Sequence, residues 1–479
     1  MKKILVSLLL LIALVANVVA MSACHLLPGN KQDDEYEEGK INITFYHTMG
    51  QNLRDVLDIY IEEFEALYPH INIIHEQVGS YDDVRDTIST ELTVGAQPNI
   101  AYCYPDHVAL YNVAKAVLTL DQFIDSTEEI ELADGTKTIV GLTQEQKDDF
   151  IKGYYDEGKA FGDGKMYTLP LSKSTEVLYY NKTFFEANKI KVPETWEELE
   201  AVCAQIKALK PDSTPLGYDS EANWFITMCE QLKTPYTSAT GDHFLFDNAD
   251  NHAFVLEFRD WFNKGYVTTQ DILGGYTSDI FKKQTSYMSI GSSAGATHQR
   301  PAKGDDGKYP FEVGITSIPQ VDAANNGKVI SQGPSLCILA SGDSEKDMAS
   351  WLFMKFLTTN IGFQAEFSMA SGYVPVIKSV ANDPDYMAFL NKADGGDNIA
   401  ALSAKICLDQ ESFYYTSPAF NGSSTARDEV GALLQKCFLI GRDKDGKLDT
   451  SLTEAQIKAA IEKAFDEAIA ECKYQVGQG

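Results

Sequence analysis

The chain has 479 residues, of which 44% are hydrophobic, and its formal net charge is −29. This length is enough for two well-packed α/β lobes and exceeds what one small core needs. An acidic chain of this kind lacks the basic surface that sustained nucleic-acid binding requires, so we expect no nucleic-acid partner.

The amino terminus has the charge and hydropathy pattern of a bacterial secretion signal. Lys2 and Lys3 precede an apolar run over residues 4–20, and Met-Ser-Ala-Cys follows at residues 21–24. The run is near the short end for a membrane span and ends at small residues before a cysteine, so it resembles a bacterial lipobox. A retained membrane anchor is the alternative. We predict a signal peptide over residues 1–23, a lipid-modified Cys24 and a flexible acidic tether over residues 24–40.

Strands and amphipathic helices alternate in the first part of the folded region. The predicted strands are 41–46, 71–76 and 100–104, the predicted helices are 53–68, 84–92, 111–120 and 144–155, and a hairpin is predicted at 132–137. This βαβαβ order predicts a mainly parallel sheet, with a ligand crevice beyond the carboxyl ends of its strands.

Residues 163–199 organise the middle of the chain. Strands predicted at 165–171 and 176–180 flank Ser-Lys-Ser-Thr at residues 172–175, and two helices follow. Thr195 is placed to cap the second helix, with Glu198 bonding back to the cap. This stretch resembles the pattern shared by solute-binding proteins of bacterial ABC importers, in which it carries the first crossover between two lobes.

Residues 291–295 suggest an enzyme instead. Their sequence, Gly-Ser-Ser-Ala-Gly, follows a predicted strand and matches the nucleophile elbow of α/β-hydrolases through Gly291, Ser293 and Gly295. Such a hydrolase needs a histidine well downstream of its serine, and the only histidine after Ser293 is His298. A secreted serine hydrolase is therefore the alternative function, and a glycine-rich turn facing a cleft is the favoured interpretation.

The later elements fit the binding-protein resemblance. Strands predicted at 311–318 and 333–340, helices at 345–358 and 361–367, and a Gly-Tyr-Val-Pro run at 372–375 occur in the family's order. Helices are also predicted at 196–209, 223–232, 254–262, 427–438 and 454–473. The resemblance implies an α/β, type II periplasmic-binding-protein-like fold with three hinge crossovers. Its discontinuous lobes would be 41–172 plus 338–374, and 173–337 plus 375–479.

Through residues 170–182, 333–336 and 371–376 the chain resembles in particular the branch of this family that binds glycerol 3-phosphate and glycerophosphodiesters. That similarity implies a ligand-binding site formed by Tyr81, Ser174, Ser293, Gly333, Tyr373 and Arg427. Asp106 marks a departure, because the family has an acid directly after the tyrosine where this chain has Tyr104-Pro105. Hydroxyls, a glycine amide and a guanidinium can hold a phosphate, whereas tyrosine faces suit sugars equally well, so both ligand classes remain open.

The resemblance implies a substrate-binding protein that does no chemistry and needs no cofactor. We expect a monomer on the outer face of the bacterial cytoplasmic membrane, held there by its lipid anchor, that delivers a sugar or glycerol phosphate to the transmembrane subunits of an ABC permease. Seven cysteines remain after Cys24, none in a Cys-x-x-Cys pair and none with a zinc-site spacing to histidine. We predict buried thiols and no metal site.

Overall fold

The computed structural model describes residues 36–444 and 446–477. The predicted signal peptide, Cys24 and most of the acidic tether lie outside the described residues. Within the described part of the chain, no helix is both long and apolar enough to cross a bilayer.

The secondary structure comprises fourteen labelled strands and twenty labelled helices among the described residues. The strands are β1 (Ile41–His47), β2 (Ile71–Gln77), β3 (Ile100–Cys103), β4 (Glu129–Glu131), β5 (Lys137–Ile139), β6 (Leu169–Pro170), β7 (Glu176–Asn181), β8 (Leu216–Tyr218), β9 (Val267–Thr269), β10 (Met288–Ser292), β11 (Val313–Ser317), β12 (Val329–Ile330), β13 (Ser335–Ile338) and β14 (Tyr414–Tyr415). The helices are α1 (Gln51–Leu67), α2 (Tyr81–Glu91), α3 (Pro105–Val113), α4 (Asp121–Ile124), α5 (Gln144–Asp149), α6 (Lys152–Glu157), α7 (Lys182–Asn188), α8 (Trp196–Leu209), α9 (Glu221–Leu232), α10 (Ala249–Asn263), α11 (Gln270–Leu273), α12 (Ser278–Lys282), α13 (Ala296–Gln299), α14 (Ala323–Asn326), α15 (Ser344–Thr359), α16 (Ile361–Ser371), α17 (Pro384–Asn391), α18 (Ile399–Asp409), α19 (Ser423–Leu439) and α20 (Glu454–Gln475).

The first sheet has the strand order β2-β1-β3-β13-β6. Strand β1 pairs parallel to β2 and β3, as predicted, and β13 returns antiparallel to β3 and β6. Helix α1 packs on this sheet because Leu57, Tyr60, Ile61 and Phe64 recur at helical spacing and are buried. Residues 41–103 therefore form the predicted βαβαβ unit.

The second sheet has the order β11-β7-β10-β8-β9 and is mixed. Strands β10, β8 and β9 run parallel, whereas β7 pairs antiparallel with β10 and β11. Its core contains the buried Trp224, Phe258 and Trp261, which come from α9 and α10. Each sheet thus has its own large hydrophobic core, which is what two separate lobes require.

Three predicted elements differ from the observed ones. Helix α3 begins at Pro105 rather than near Tyr111, because proline fits the first helical position, where its missing N–H removes no hydrogen bond. The helix predicted over 144–155 is interrupted at Phe150 and Ile151, which are extended, and the Ile151 amide donates to the Val376 carbonyl. The strand predicted over 165–171 shortens to β6.

Three chain segments cross between the sheets and bond to one another, near the positions the sequence predicted. Lys173 pairs antiparallel with Val374, and Ser174 pairs with Gln332, through backbone hydrogen bonds of 2.7–3.0 Å. Gly333 has a φ of +96°, and a Cβ there would lie 2.5 Å from the Ser172 carbonyl oxygen, so only glycine fits. The exact lobe boundaries remain a prediction. Strand β13 enters the first sheet at Ser335, ahead of the predicted boundary at residue 338.

Candidate functional site

A cleft of about 720 Å³ lies between the two sheets. We call it the main cleft. On the side of the first sheet it is lined by Gly50 and Tyr104, which follow β1 and β3. On the other side it is lined by Asp219 and Gln270, which follow β8 and β9, and by Ser292 at the end of β10. This is the crevice expected beyond the carboxyl ends of parallel strands.

Two smaller cavities of about 380 and 60 Å³ adjoin the main cleft. Tyr104 and Arg427 line all three cavities, one from the loop after β3 and the other from helix α19. The point where these two side chains face the cavities is therefore the centre of the candidate site.

Arg427 is half-buried, and its Nη2 donates a hydrogen bond to the Asn223 Oδ1 atom on α9. Burial opposes the guanidinium charge, but the negative charge of Asp106 and the nearby Tyr104 outweigh it and raise the pKa of Arg427. No ion pair among the described residues includes Arg427. The site thus presents a permanent cation whose described hydrogen-bond partner is a neutral amide.

Three tyrosines group around this point. The rings of Tyr81 and Tyr104 stack with their centroids 4.5 Å apart and their planes inclined by 18°. Tyr373 lines the main cleft, whereas Tyr81 lines the 380 Å³ cavity. Burial raises the pKa of the Tyr81 and Tyr373 hydroxyls, so both stay protonated at neutral pH and can donate hydrogen bonds.

Asp106 also reaches the cavities. It follows Pro105 in the first turn of α3, is half-buried, and lines both smaller cavities together with Arg427. Its Oδ1 accepts a hydrogen bond from the His107 amide. The two-residue offset from Tyr104 therefore leaves the carboxylate facing the same space as the guanidinium.

Ser174, Ser293 and Gly333 do not line these three cavities. Ser174 and Gly333 belong to the crossover segments, and the Ser292 hydroxyl donates to the Ser174 hydroxyl at 3.4 Å. Ser293 is completely buried, and its Oγ accepts a hydrogen bond from the Thr175 amide. The structure therefore brings Tyr81, Asp106, Tyr373 and Arg427 together and places the other three nearby, in the layer that supports the cleft.

The geometry of Ser293 also bears on the hydrolase alternative. A nucleophile elbow exposes its serine Oγ at the top of a sheet, whereas here the Oγ is used by a backbone amide of the first crossover. His298 lines the main cleft on α13, but no hydrogen bond of the described residues joins it to Ser293. This arrangement fits the structural turn that the sequence favoured.

Glu176 and Asn223 are among the polar residues of the main cleft that the sequence analysis did not select. Glu176 is buried at the start of β7, where its Oε1 accepts from Asn223 Nδ2 at 2.9 Å and its Oε2 from the Tyr218 hydroxyl at 2.7 Å. Burial raises the pKa of Glu176 to about 7. The signal that could have found it is an acidic residue opening an otherwise apolar strand.

Among the described residues, no cluster of three or more histidine, cysteine or acidic side chains could hold a metal ion. The seven cysteines from Cys103 to Cys472 are buried free thiols, as predicted. The polar groups that line the three cavities include tyrosines, carboxylates, amides and the guanidinium groups of Arg85 and Arg427.

Comparison with known proteins gives a consistent result. The family described as "Bacterial extracellular solute-binding protein" matches residues 60–390. The sn-glycerol-3-phosphate-binding periplasmic protein UgpB of Escherichia coli (strain K12) is 24% identical over 372 residues, which cover 74% of this chain and 78% of that protein.

Solved structures show the same fold. UgpB from Mycobacterium tuberculosis, in complex with glycerophosphocholine, aligns with a TM-score of 0.69 and 17% identity over 92% of this chain and 99% of that one. The GacH receptor of Streptomyces glaucescens, crystallised without ligand and with acarbose, aligns with a TM-score of 0.67 and 15% identity over 90% of this chain and 98% of that one. Maltose-bound MalE3 of T. maritima aligns with a TM-score of 0.65 and 15% identity over 90% of this chain and 99% of that one. These likenesses confirm the predicted two-lobed α/β fold.

Proposed function

Because the chain belongs to the bacterial extracellular solute-binding protein family, we propose that it is the substrate-binding protein of an ABC importer. It captures a carbohydrate-class solute, either a sugar or a glycerol phosphate, in the main cleft and delivers it to the permease without altering it chemically. The relatives named above that bind glycerol 3-phosphate, glycerophosphocholine or maltose support this ligand range.

The observation that carries the proposal is the position of Tyr104 and Arg427. Tyr104 follows a strand of the first sheet, whereas Arg427 lies on α19, which packs against the second sheet. Both side chains nevertheless line the same cavities. A solute that contacts both stabilises the arrangement in which the lobes are close together. Solute binding and closure of the two lobes are therefore coupled.

The charges of the main cleft support either ligand class. Asp279 and Lys282 form a pair at 3.0 Å, which leaves Arg427 as the cation without an ion pair among the described residues that line this cleft. One guanidinium can bind a phosphate group, and the tyrosine rings and amide side chains suit a neutral sugar.

We also propose that the mature protein acts as a monomer at the cell surface, tethered by a lipid on Cys24. A short polar tether is enough to let the folded lobes reach a permease while remaining in water. The support comes from the sequence pattern of residues 1–24 and from the extracellular family.

Titration calorimetry tests the ligand proposal directly. The mature protein should release or absorb heat with at least one member of a panel of sn-glycerol 3-phosphate, glycerophosphocholine, maltose and maltotriose. The same preparation is incubated with p-nitrophenyl esters. Ester hydrolysis that Ser293→Ala abolishes, together with no binding across the panel, would support the hydrolase and overturn the transport function.

A further inference from the structure

Glu176 is an acidic side chain at the wall of the main cleft for which the proposed function has assigned no role. Only 1% of its surface is exposed, and it opens β7 directly after the first crossover segment. Ion pairs with described residues are absent, so its charge is balanced only by hydrogen bonds and by more distant groups. A buried carboxyl group is costly unless hydrogen bonds satisfy its oxygens, so the partners of Glu176 show what its acceptors are used for.

The two hydrogen bonds of Glu176 come from residues that are themselves buried. The Tyr218 hydroxyl donates to one carboxylate oxygen at 2.7 Å, and Asn223 Nδ2 donates to the other at 2.9 Å. Tyr218 is also fixed by stacking on Trp224, with ring centroids 4.9 Å apart and planes inclined by 10°. The carboxylate is therefore held in one orientation by a packed surrounding.

Asn223 connects this carboxylate to the candidate ligand cation. Its Nδ2 donates to Glu176 while its Oδ1 accepts from Arg427 Nη2. The side-chain amide of Asn223 carries its NH2 donor and its oxygen acceptor on opposite sides. Because the Glu176 carboxylate accepts, the NH2 must face Glu176, and the oxygen then faces the Arg427 guanidinium. The reversed amide would place NH2 against the guanidinium, donor against donor, and would leave Arg427 without this bond.

We propose that Glu176 is a positioning residue of the ligand site: it fixes the amide of Asn223, which in turn orients the Arg427 guanidinium toward the cleft. The proposal rests on the proposed function for the identity of the site, since it assumes that Arg427 contacts the solute. The alternative is that Glu176 only fills space between β7, β8 and α9. A side chain of similar size that lacks an oxygen acceptor distinguishes these two explanations. It should release the Arg427 guanidinium if Glu176 is a positioning residue and should leave it in place if Glu176 only fills space.

The test compares two substitutions of similar volume. Glu176→Gln keeps an oxygen that can accept from Asn223 and an NH2 that can donate to the Tyr218 oxygen, whereas Glu176→Met keeps the volume but has no oxygen acceptor, only a weakly accepting thioether sulfur. Crystal structures of the ligand-free proteins are the first measurement. Arg427 should stay on Asn223 in the glutamine variant and should leave it in the methionine variant.

Binding is the second measurement, with sn-glycerol 3-phosphate, glycerophosphocholine and maltotriose as probes. For any probe that the wild type binds, Glu176→Met should weaken binding at least tenfold, and Glu176→Gln should stay within threefold. Glu230→Gln is the matched control, because Glu230 is a half-buried acid on the same helix as Asn223 that does not line the cavities described above. It should leave affinity unchanged.

A methionine variant that keeps Arg427 in place and binds as the wild type does would overturn the proposal. If that variant does not fold, Asn223→Ala replaces it, because cutting the link at the amide should release Arg427 in the same way, and an unmoved guanidinium would again overturn the proposal. If the wild type binds none of the three probes, the ligand range proposed above is contradicted, and the crystal structures still decide whether Glu176 positions Arg427.

Discussion

The Lys173 ammonium lies 2.6 Å from the Glu157 carboxylate, and the two side chains are 0% and 3% exposed. Lys173 belongs to the first crossover and Glu157 ends α6 under the first sheet, so this buried ion pair joins a hinge segment to a lobe. Hydroxyls from the other segments complete its surroundings: Lys173 Nζ donates to Ser335 Oγ at 3.2 Å, and Ser331 Oγ donates to Glu157 at 3.2 Å.

Removing one partner of this pair should be strongly destabilising. Lys173→Met leaves the Glu157 carboxylate buried without a cation, and we expect the free energy of unfolding to fall by about 3–5 kcal/mol. Urea unfolding at pH 7 measures this change. The double variant Lys173→Met/Glu157→Leu should recover much of the loss, because no uncompensated charge remains. Lys191→Met, which breaks an exposed pair with Glu198, is the control and should change stability little. Equal effects of the two lysine substitutions would contradict the prediction.

Glu176 should make stability depend on pH with a particular sign. Its folded-state pKa is raised from 4.5 to about 7, so between these pH values the folded protein holds a proton that the unfolded chain has released. Stability therefore falls as pH rises through this window, by roughly 3 kcal/mol in total, and changes no further above it. Thermal unfolding of wild type and Glu176→Gln is measured between pH 4.5 and 8. The difference in melting temperature between the two proteins should change across this pH window. Parallel curves would contradict the assignment.

Arg85 joins the two lobes at the rim of the 380 Å³ cavity. From α2 its Nη1 donates to Ser424 Oγ at 3.0 Å and lies 3.4 Å from the Asp428 carboxylate on α19. Because Asp428 is more than half exposed, the contact is worth about 1 kcal/mol or less. Arg85→Ala should shift the ligand-free protein toward a more open state by at most about fivefold. Small-angle X-ray scattering should show a larger radius of gyration, while Lys303→Ala, which breaks an ion pair with Asp397 outside these cavities, should not.

Lipid attachment depends on one atom, the Cys24 thiol, if the predicted lipobox is used. Cys24→Ser removes the thiol that would carry the lipid and should move the protein from the detergent phase to the aqueous phase in Triton X-114 partitioning. Cys203→Ser, a change at a buried thiol of the second lobe, serves as the control and should leave partitioning unchanged. The same partitioning for Cys24→Ser and wild type would show that Cys24 carries no lipid.

The order of strands and helices could be predicted from the sequence because the longer elements have clear periodicity. Helix α1 buries the face that its apolar spacing indicates, and β1, β2 and β3 pair in the predicted parallel manner. Short elements were predicted less well, since their limits depend on contacts made elsewhere, such as the bond from Ile151 to Val376 that interrupts the helix after α5.

The site was predictable only where a residue type carried its own chemistry. Tyr373 and Arg427, which line the main cleft, could be selected as candidate ligand contacts from their side chains and their motifs. Glu176 and Asn223 acquire their role because β7, α9 and α19, which are distant in sequence, pack together, and neither residue lies in a recognisable motif. Ser293 was selected from a motif, but its hydroxyl does not face the cleft. It accepts a hydrogen bond from a backbone amide of the first crossover.

Arg427 decides between the two ligand classes. If the solute carries a phosphate, Arg427→Ala leaves a partly buried anion without its charged donor and should cost on the order of 2–5 kcal/mol of binding free energy. Arg427→Lys should recover only part of this, because a point charge cannot reproduce the forked pair of donors. If the solute is a neutral sugar, the alanine variant loses at most a hydrogen bond, about 1 kcal/mol, and the tyrosine faces should dominate. Titration calorimetry of the three proteins with sn-glycerol 3-phosphate, glycerophosphocholine and maltotriose distinguishes these outcomes. Maltotriose binding that survives Arg427→Ala, with no heat from either phosphate ligand, would exclude the phosphate class and leave a sugar importer.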